Sequence, residues 1–494
     1  VTLHQLLEVA ARDHPDRPAI RLGTESMTYG SMRERSERLA AWLVANGVGR
    51  RDRVLVALPA DVLLPALLYA CSRIGAVFVV LGERPPAPAA AHVVEDARPA
   101  LVLSESAELR VEAARRGIAS RGLDDVRASA SGPAEPPPGG PLAVDPACFI
   151  YTSGTTAMPK AVVSTHQQAT FAAGAIQSQL RYRPDDVVFC PLPLSFDYGL
   201  YQIFLCTLAG AQLRLATVES AGPRLLVELG EAGATVLAAV PALADRLARL
   251  LSHRGASLPS LRLLTSTGAA MPEAVLATLR ASLPGLRVQL MYGLTECKRA
   301  TIMPPDEDLR RPGACGRALP GTEVVVVAPD GAELPAGEVG EVVVRGPNVM
   351  AGYWRRPELT AERFRRVDGL FPELRTGDYG RLDADGYLYL AGRRDDLYKE
   401  RGSRVSTIEV EAAARRVPGV LAAAVVPPAV GEEGATLFVE SGLRPHEVLL
   451  RLRDQIEDAK APVRCVVVPE LPLNANGKVE RRGLAGLAGD VRRA

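Results

Sequence analysis

Residues 148–166 read CFIYTSGTTAMPKAVVSTH. Within them Thr152, Ser153, Gly154, Thr155 and Thr156 are followed by Pro159 and Lys160. These types at this spacing suit the holding of a polyphosphate. Glycine lets the backbone approach oxygen atoms, hydroxyls and N–H groups donate hydrogen bonds, and a nearby cation offsets charge. The spacing is not the G-x-x-x-x-G-K-[ST] of the Walker loop. The apolar run Cys148, Phe149, Ile150 and Tyr151 reads as a buried strand end leading into the loop. A hydroxyl-rich turn between two elements has the same composition, so other motifs must decide.

Three later stretches carry further chemistry. Residues 291–300 read MYGLTECKRA, with an aromatic ring, a hydroxyl and a carboxylate within five positions. Residues 376–402 read TGDYGRLDADGYLYLAGRRDDLYKERG. Residues 471–484 read LPLNANGKVERRGL. Of 58 basic residues only five are lysine: Lys160, Lys298, Lys399, Lys460 and Lys478. An ammonium on a flexible stem is not interchangeable with a planar guanidinium. The lysines fall mostly within these motifs, which a drift toward arginine does not predict.

In this order the motifs resemble those of the adenylate-forming enzymes: acyl-CoA synthetases, amino-acid adenylation domains of peptide synthetases, and luciferase-type ligases. The resemblance covers essentially the whole chain. The sequence departs from the usual pattern at Ala157 and Ala161, where glycine is common. The resemblance implies that Thr152, Ser153, Gly154, Thr155, Thr156 and Lys160 hold ATP phosphates. Tyr292 would pack against adenine, Thr295 meet the phosphate, and Glu296 hold Mg²⁺, a hard cation that suits a carboxylate. Asp378 would bind both ribose hydroxyls with help from Arg393, Asp395 would be a hinge, and Lys478 the catalytic lysine. The implied reaction joins an acid to the α-phosphate of Mg-ATP, releases pyrophosphate, and passes the acyl group to a thiol.

The elements that must position these residues follow from periodicity. The alternation of strands and helices argues for an α/β fold, and the resemblance implies a large N-terminal domain of βα sheet subdomains (1–394) and a small mobile α+β C-terminal domain (395–494) carrying Lys478. Strands are expected over 53–58, 76–81 and 99–103, with a helix over 62–74, in a first βα unit running to about residue 146. Residues 28–43 read as a short strand and a capped helix. A second unit over 164–290 should hold a helix at 167–180 and strands at 187–190, 212–216, 235–240 and 261–266. The ADG at 384–386 suits a hairpin turn. The C-terminal domain should hold helices at 408–415 and 445–458 and strands at 420–427 and 463–468. The stretch 129–146, rich in Pro, Gly and Ala, reads as a loop.

Composition narrows the classes. A chain of 494 residues is long enough for two or more packed units. Its net charge of +1 gives no broad attraction to nucleic acid or membrane. No apolar run is long enough to span a bilayer and no secretory pattern is present, so a cytoplasmic location is expected. Seven scattered cysteines with no C-x-x-C pair argue against a disulfide framework or zinc site.

Substrate class turns on residues 195–199, SFDYG. In amino-acid-activating relatives an aspartate after phenylalanine pairs with the substrate ammonium, so Phe196 and Asp197 are assigned to the substrate pocket, with Ser266 and Thr267. Lys298 and Arg299 directly after Glu296 look like the free-standing β-amino-acid ligases that start macrolactam polyketides. Arg299 offers a bidentate fork to a second carboxylate, as in a 3-methylaspartate-like acid. Pairing of Arg299 with a protein carboxylate is the other reading. The expected acceptor is the phosphopantetheine thiol of a separate, free-standing acyl or peptidyl carrier protein. The alternatives are an acyl- or aryl-CoA synthetase, or a non-catalytic nucleotide-binding homologue.

Overall fold

The computed structural model describes the chain apart from residues 133–139, 153–157, 218, 255–256, 368, 370, 394–396, 401–402, 429–433, 457–459, 474–478, 482, 485 and 488–494. Two large sheets and a smaller antiparallel one make up the N-terminal part. In the first sheet Arg53–Ala57 lies parallel between Val77–Val80 and Leu101–Ser104. Val77–Val80 then pairs with Pro146–Thr152, which turns back antiparallel into Lys160–Thr165. These central strands are buried along nearly their whole length. Helices cover both faces of a parallel sheet, so its strands read as continuous apolar runs without alternation. The expected strands therefore appear within one or two residues of their places, as do the helices Leu64–Arg73 and Tyr29–Ala45. Thr28 caps the latter by accepting from Ser31 N.

The second sheet corrects the sequence reading. Its core is the parallel set Arg287–Tyr292, Leu263–Ser266, Val236–Ala239, Val187–Cys190 and Gln212–Leu215. Beyond Gln212–Leu215 the next strand is Pro18–Leu22, followed by Glu25–Thr28. Residues 18–28 thus belong to the second sheet, not to the first unit in which sequence order placed them. Ile20 pairs with Leu213 and Arg21 with Arg214. Tyr29 Oη lies 2.6 Å from Ala211 O and 2.8 Å from Cys206 O, and its one proton serves one of them. Chain neighbours in this fold are not always sheet neighbours.

Between the sheets runs the helix Asp197–Ala209, buried from Asp197 through Thr207. Residues 191–202 carry no helical signal because a helix apolar on every side has no amphipathic stripe to read. The third sheet pairs Gly340–Arg345 with Glu323–Val327 and with the long strand Phe371–Leu382, which also meets Phe364–Val367 and Leu388–Arg393. The hairpin at 384–386 is present: Asp383 Oδ1 accepts from Asp385 N and Tyr387 N, and Gly386 supplies φ +80°.

In the C-terminal part Thr407–Arg415 packs on Val420–Val426, a strand of the sheet completed by Thr436–Ser441 and Arg464–Val468. The second helix there is Pro445–Leu452, shorter than the expected 445–458. Among the described residues no helix is long and apolar enough to cross a membrane.

Candidate active site

Ligands of open parallel sheets bind outside the carboxyl ends of the strands. The second sheet ends there in Ala239, Ser266 and Tyr292, the last residues of three adjacent strands. Asp197 opens the buried helix facing this edge. Phe196 is its N-cap residue, and a carboxylate in the first turn is favoured by the helix dipole. Asp197 is 4% exposed and Arg299 5%. Arg299 Nη1 stands 3.4 Å from Asp197 Oδ2, and its guanidinium lies 4.7 Å from the centre of the Tyr198 ring. Tyr198 is in turn fixed by Thr265, whose Oγ1 is 2.7 Å from the phenol oxygen. Ser266 and Thr267 are buried beside this strand end, and Ser266 Oγ has no partner among the described residues. The two side chains assigned by sequence to opposite charges of a substrate thus face each other directly. Arg299 pairs with a protein carboxylate, and that carboxylate is Asp197.

The turn that delivers Arg299 is tight. Arg299 N donates to Cys297 O at 2.8 Å, closing a γ-turn around Lys298, whose φ is +63°. Such positive-φ γ-turns are strained, and strain of this kind costs about 1–3 kcal/mol. A Cβ on Gly293 would lie 2.3 Å from Lys298 O and 2.7 Å from Arg299 Cα, so this position admits only glycine. Lys298 is fully buried, donates to Thr295 O at 2.9 Å, and sits 5.5 Å from the Tyr201 ring centre.

Glu296 and Thr295 are half-buried. Tyr353 Oη donates to Glu296 Oε1 at 2.7 Å, and Lys160 Nζ lies 4.0 Å over the Tyr353 ring. Burial and the Glu296 carboxylate raise the Tyr353 pKa, so the phenol stays a donor. Thr152 pairs in register with Lys160 at the mouth of the loop, and its buried Oγ1 has no partner among the described residues. Tyr292 Oη donates to Asp378 Oδ2 at 2.6 Å, and the Tyr292 ring packs with Cys297, Ala300 and Val342. Asp378 lies opposite Arg393 in the strand register.

Ser153, Gly154, Thr155, Thr156, Asp395 and Lys478 lie outside the described residues. The flanks of the Lys478 segment are described. Leu473 and Val479 form a β-bridge, and Arg481 meets the buried Glu411 at 2.8 Å. Three residues that border the site, Tyr198, Asn348 and Tyr353, were not singled out from sequence. Tyr198 adjoins Asp197 and could have been found by that. Asn348 and Tyr353 sit in a loop and strand with no local chemical signal.

Residues 7–354 of the chain match the family model of the AMP-binding enzymes. Residues 409–478 match the C-terminal domain of those enzymes. The chain belongs to the AMP-binding enzyme family. It is 34% identical to the probable nonribosomal peptide synthetase CymA of Salinispora arenicola, covering 97% of this chain and 6% of that much longer protein. It is 32% identical to a feruloyl-CoA synthase of Amycolatopsis over 98% of this chain and 97% of the relative. Among solved structures it is similar to VinN, at 39% identity and TM-score 0.74, covering 79% of this chain and 99% of VinN. VinN has also been solved in complex with L-aspartate, at 38% identity and TM-score 0.73 over 79% of this chain and 98% of VinN. ATP-bound MatB of Rhodopseudomonas palustris matches 99% of this AMP-binding enzyme and 100% of its own chain, at 29% identity and TM-score 0.88.

An AMP-binding enzyme of this kind is an adenylate-forming, AMP-forming ligase that uses ATP with Mg²⁺. The donor set fits both groups. Glu296 Oε2 accepts no hydrogen bond from a described residue, and Thr152 Oγ1 is a buried polar atom awaiting a partner.

Proposed function

We propose that this ligase activates an amino acid, and that the acid is a β-amino acid with a second carboxylate, of the 3-methylaspartate type. The observation that carries this reading is the buried pair Asp197–Arg299. At 3.4 Å its contact is long for a charge-assisted hydrogen bond. A zwitterion with a spare carboxylate exchanges it for two better contacts, its ammonium on Asp197 and that carboxylate on the Arg299 fork. A neutral acyl chain would leave the charges as they are and gain nothing from them. The likeness to VinN, solved with L-aspartate, supports an acidic amino acid. Aspartate activated at its side-chain carboxylate is chemically a β-amino acid bearing a free α-carboxylate.

In this reading a substrate carboxylate oxygen attacks the α-phosphorus of ATP, the bond to the bridging oxygen breaks, and pyrophosphate departs. Mg²⁺ would supply charge neutralisation on the phosphates, and Glu296 is the residue proposed to hold it. Thr152, Ser153, Gly154, Thr155, Thr156 and Lys160 orient the phosphates, with Thr295 beside them. Tyr292 and Asp378 form the nucleoside wall, Asp378 with Arg393 taking the ribose hydroxyls. Lys478, on a C-terminal domain hinged at Asp395, bridges the substrate carboxylate and the α-phosphate. Catalysis is positioning and charge stabilisation. The acyl group then passes to the phosphopantetheine thiol of a separate carrier protein, a reading that the likeness to a peptide synthetase supports.

A second reading, an aryl-CoA synthetase, is favoured by the likeness to feruloyl-CoA synthase. One experiment separates them: ATP–pyrophosphate exchange with 3-methylaspartate, β-alanine, 3-aminobutyrate, β-phenylalanine, the α-amino acids and ferulate. Preference for an acidic β-amino acid supports the first reading. Preference for ferulate, or for any α-amino acid other than aspartate, overturns it, and preference for a neutral β-amino acid overturns its acidic form. Thioester formation with a holo-carrier protein, against CoA, decides the acceptor.

A further inference from the structure

Asn348 lies between the end of Gly340–Arg345 and the short strand Gly352–Tyr353, and its side chain is fully buried. Its amide nitrogen donates to Arg299 O at 3.0 Å and stands 3.4 Å from Cys297 O. Those carbonyls are the two ends of the γ-turn centred on Lys298. A side-chain amide carries two protons and can serve both at once. The carbonyl between them, Lys298 O, accepts from Arg299 Nη1 at 2.5 Å. The guanidinium is therefore aimed by the turn's own backbone, and the turn is spanned by Asn348. The loop reinforces this grip: Met350 N donates to Glu296 O at 2.9 Å. A turn with a non-glycine residue at positive φ persists only where its surroundings over-determine it.

We infer that Asn348 is a positioning residue for substrate selection, holding the strained 297–299 turn so that Arg299 points at the second charge of the substrate. The inference rests on the pocket reading proposed above. Asn348 touches neither Asp197 nor the phosphate-side groups in the described contacts, so its loss should be felt through Arg299.

The test is the ratio of kcat/KM in pyrophosphate exchange for 3-methylaspartate over 3-aminobutyrate, which lacks the spare carboxylate. It is measured in the full chain for wild type, Asn348→Ala, Asn348→Ser, Arg299→Ala and the double variant Asn348→Ala/Arg299→Ala. Asn348→Ala is expected to lower the ratio about tenfold, chiefly through KM, as for a lost buried hydrogen bond. Asn348→Ser keeps one donor and should fall between Asn348→Ala and wild type, and it carries the test alone where the alanine variant does not fold. In the Arg299→Ala background the Asn348 substitution should have no further effect on the ratio. A wild-type ratio in both Asn348 variants, or additive effects in the double variant, overturns the role of Asn348 while leaving the pocket reading standing. An unchanged ratio in Arg299→Ala alone overturns the pocket reading, and this inference with it.

Discussion

Tyr353 donates its phenolic hydrogen to Glu296 Oε1 across 2.7 Å, although 57 residues separate the two in sequence. The strand pairing of Tyr353 with Val162 brings the ring beside Lys160 as well. Tyr353 therefore orients the carboxylate proposed to hold the metal. Outer partners of metal ligands commonly change affinity by 10- to 100-fold when removed. Tyr353→Phe should raise the Mg²⁺ concentration giving half-maximal exchange by about tenfold, with the amino-acid KM nearly unchanged. An unaltered Mg²⁺ titration would remove Tyr353 from this role.

Asp197→Ala should raise KM for the amino-acid substrate strongly and affect its des-amino analogue much less. Losing one partner of a desolvated charge pair costs about 2–5 kcal/mol, part of it from the charge left behind. Here that charge is Arg299, so the thermal midpoint should also drop, and Asp197→Ala/Arg299→Ala should recover part of the drop. Equal effects on substrate and analogue would take Asp197 out of the pocket.

Lys478→Ala should slow adenylate formation by about two orders of magnitude or more, and leave thiol transfer from preformed adenylate nearly intact. In the proposed mechanism the C-terminal domain presents this lysine for one step and withdraws it for the other. Single-turnover measurement of each half-reaction reads this. Adenylation at the wild-type rate rejects the assignment.

Stability should fall between pH 6.5 and about 4. Burial, then the neighbouring Arg73, lowers the His4 pKa to about 4, against an opposing pull from Glu8. Burial, then His4, lowers that of His166 to about 4, opposed by Asp145. His166 Nδ1 accepts from Leu3 N at 3.3 Å, tying the first helix to the core. Both folded values lie below the unfolded one. Above pH 6.5 the contribution is complete, and it is lost as the unfolded chain alone takes up protons down to about pH 4. The slope is at most about 1.4 kcal/mol per pH unit for each histidine. Carboxylates such as Asp145 and Asp186, whose pKa values are lowered, lose their share below that window. Urea midpoints at pH 7.5, 6.5, 5.5 and 4.5 check this, and a His166→Asn variant should flatten the curve. Equal midpoints from pH 6.5 to 4.5 would reject the assignment.

What the sequence determined by itself was local. The 384–386 turn satisfies its own geometry within a few residues, and composition reads it directly. Apolar runs likewise marked the buried parallel strands, because strand burial is a property of consecutive residues. The partners of these elements were another matter. That Pro18–Leu22 joins Gln212–Leu215, that Tyr292 meets Asp378, that Asn348 spans the 297–299 turn and that Asp197 faces Arg299 across 102 residues were decided only by tertiary structure. Periodicity reports which side of an element is buried and carries no record of what buries it. The helix beginning at Asp197 escaped even that signal, since burial on all sides erases the period. Asp197 and Arg299 were each legible as charges needing partners; that each is the other's partner follows from the packing of one buried helix against the end of one sheet.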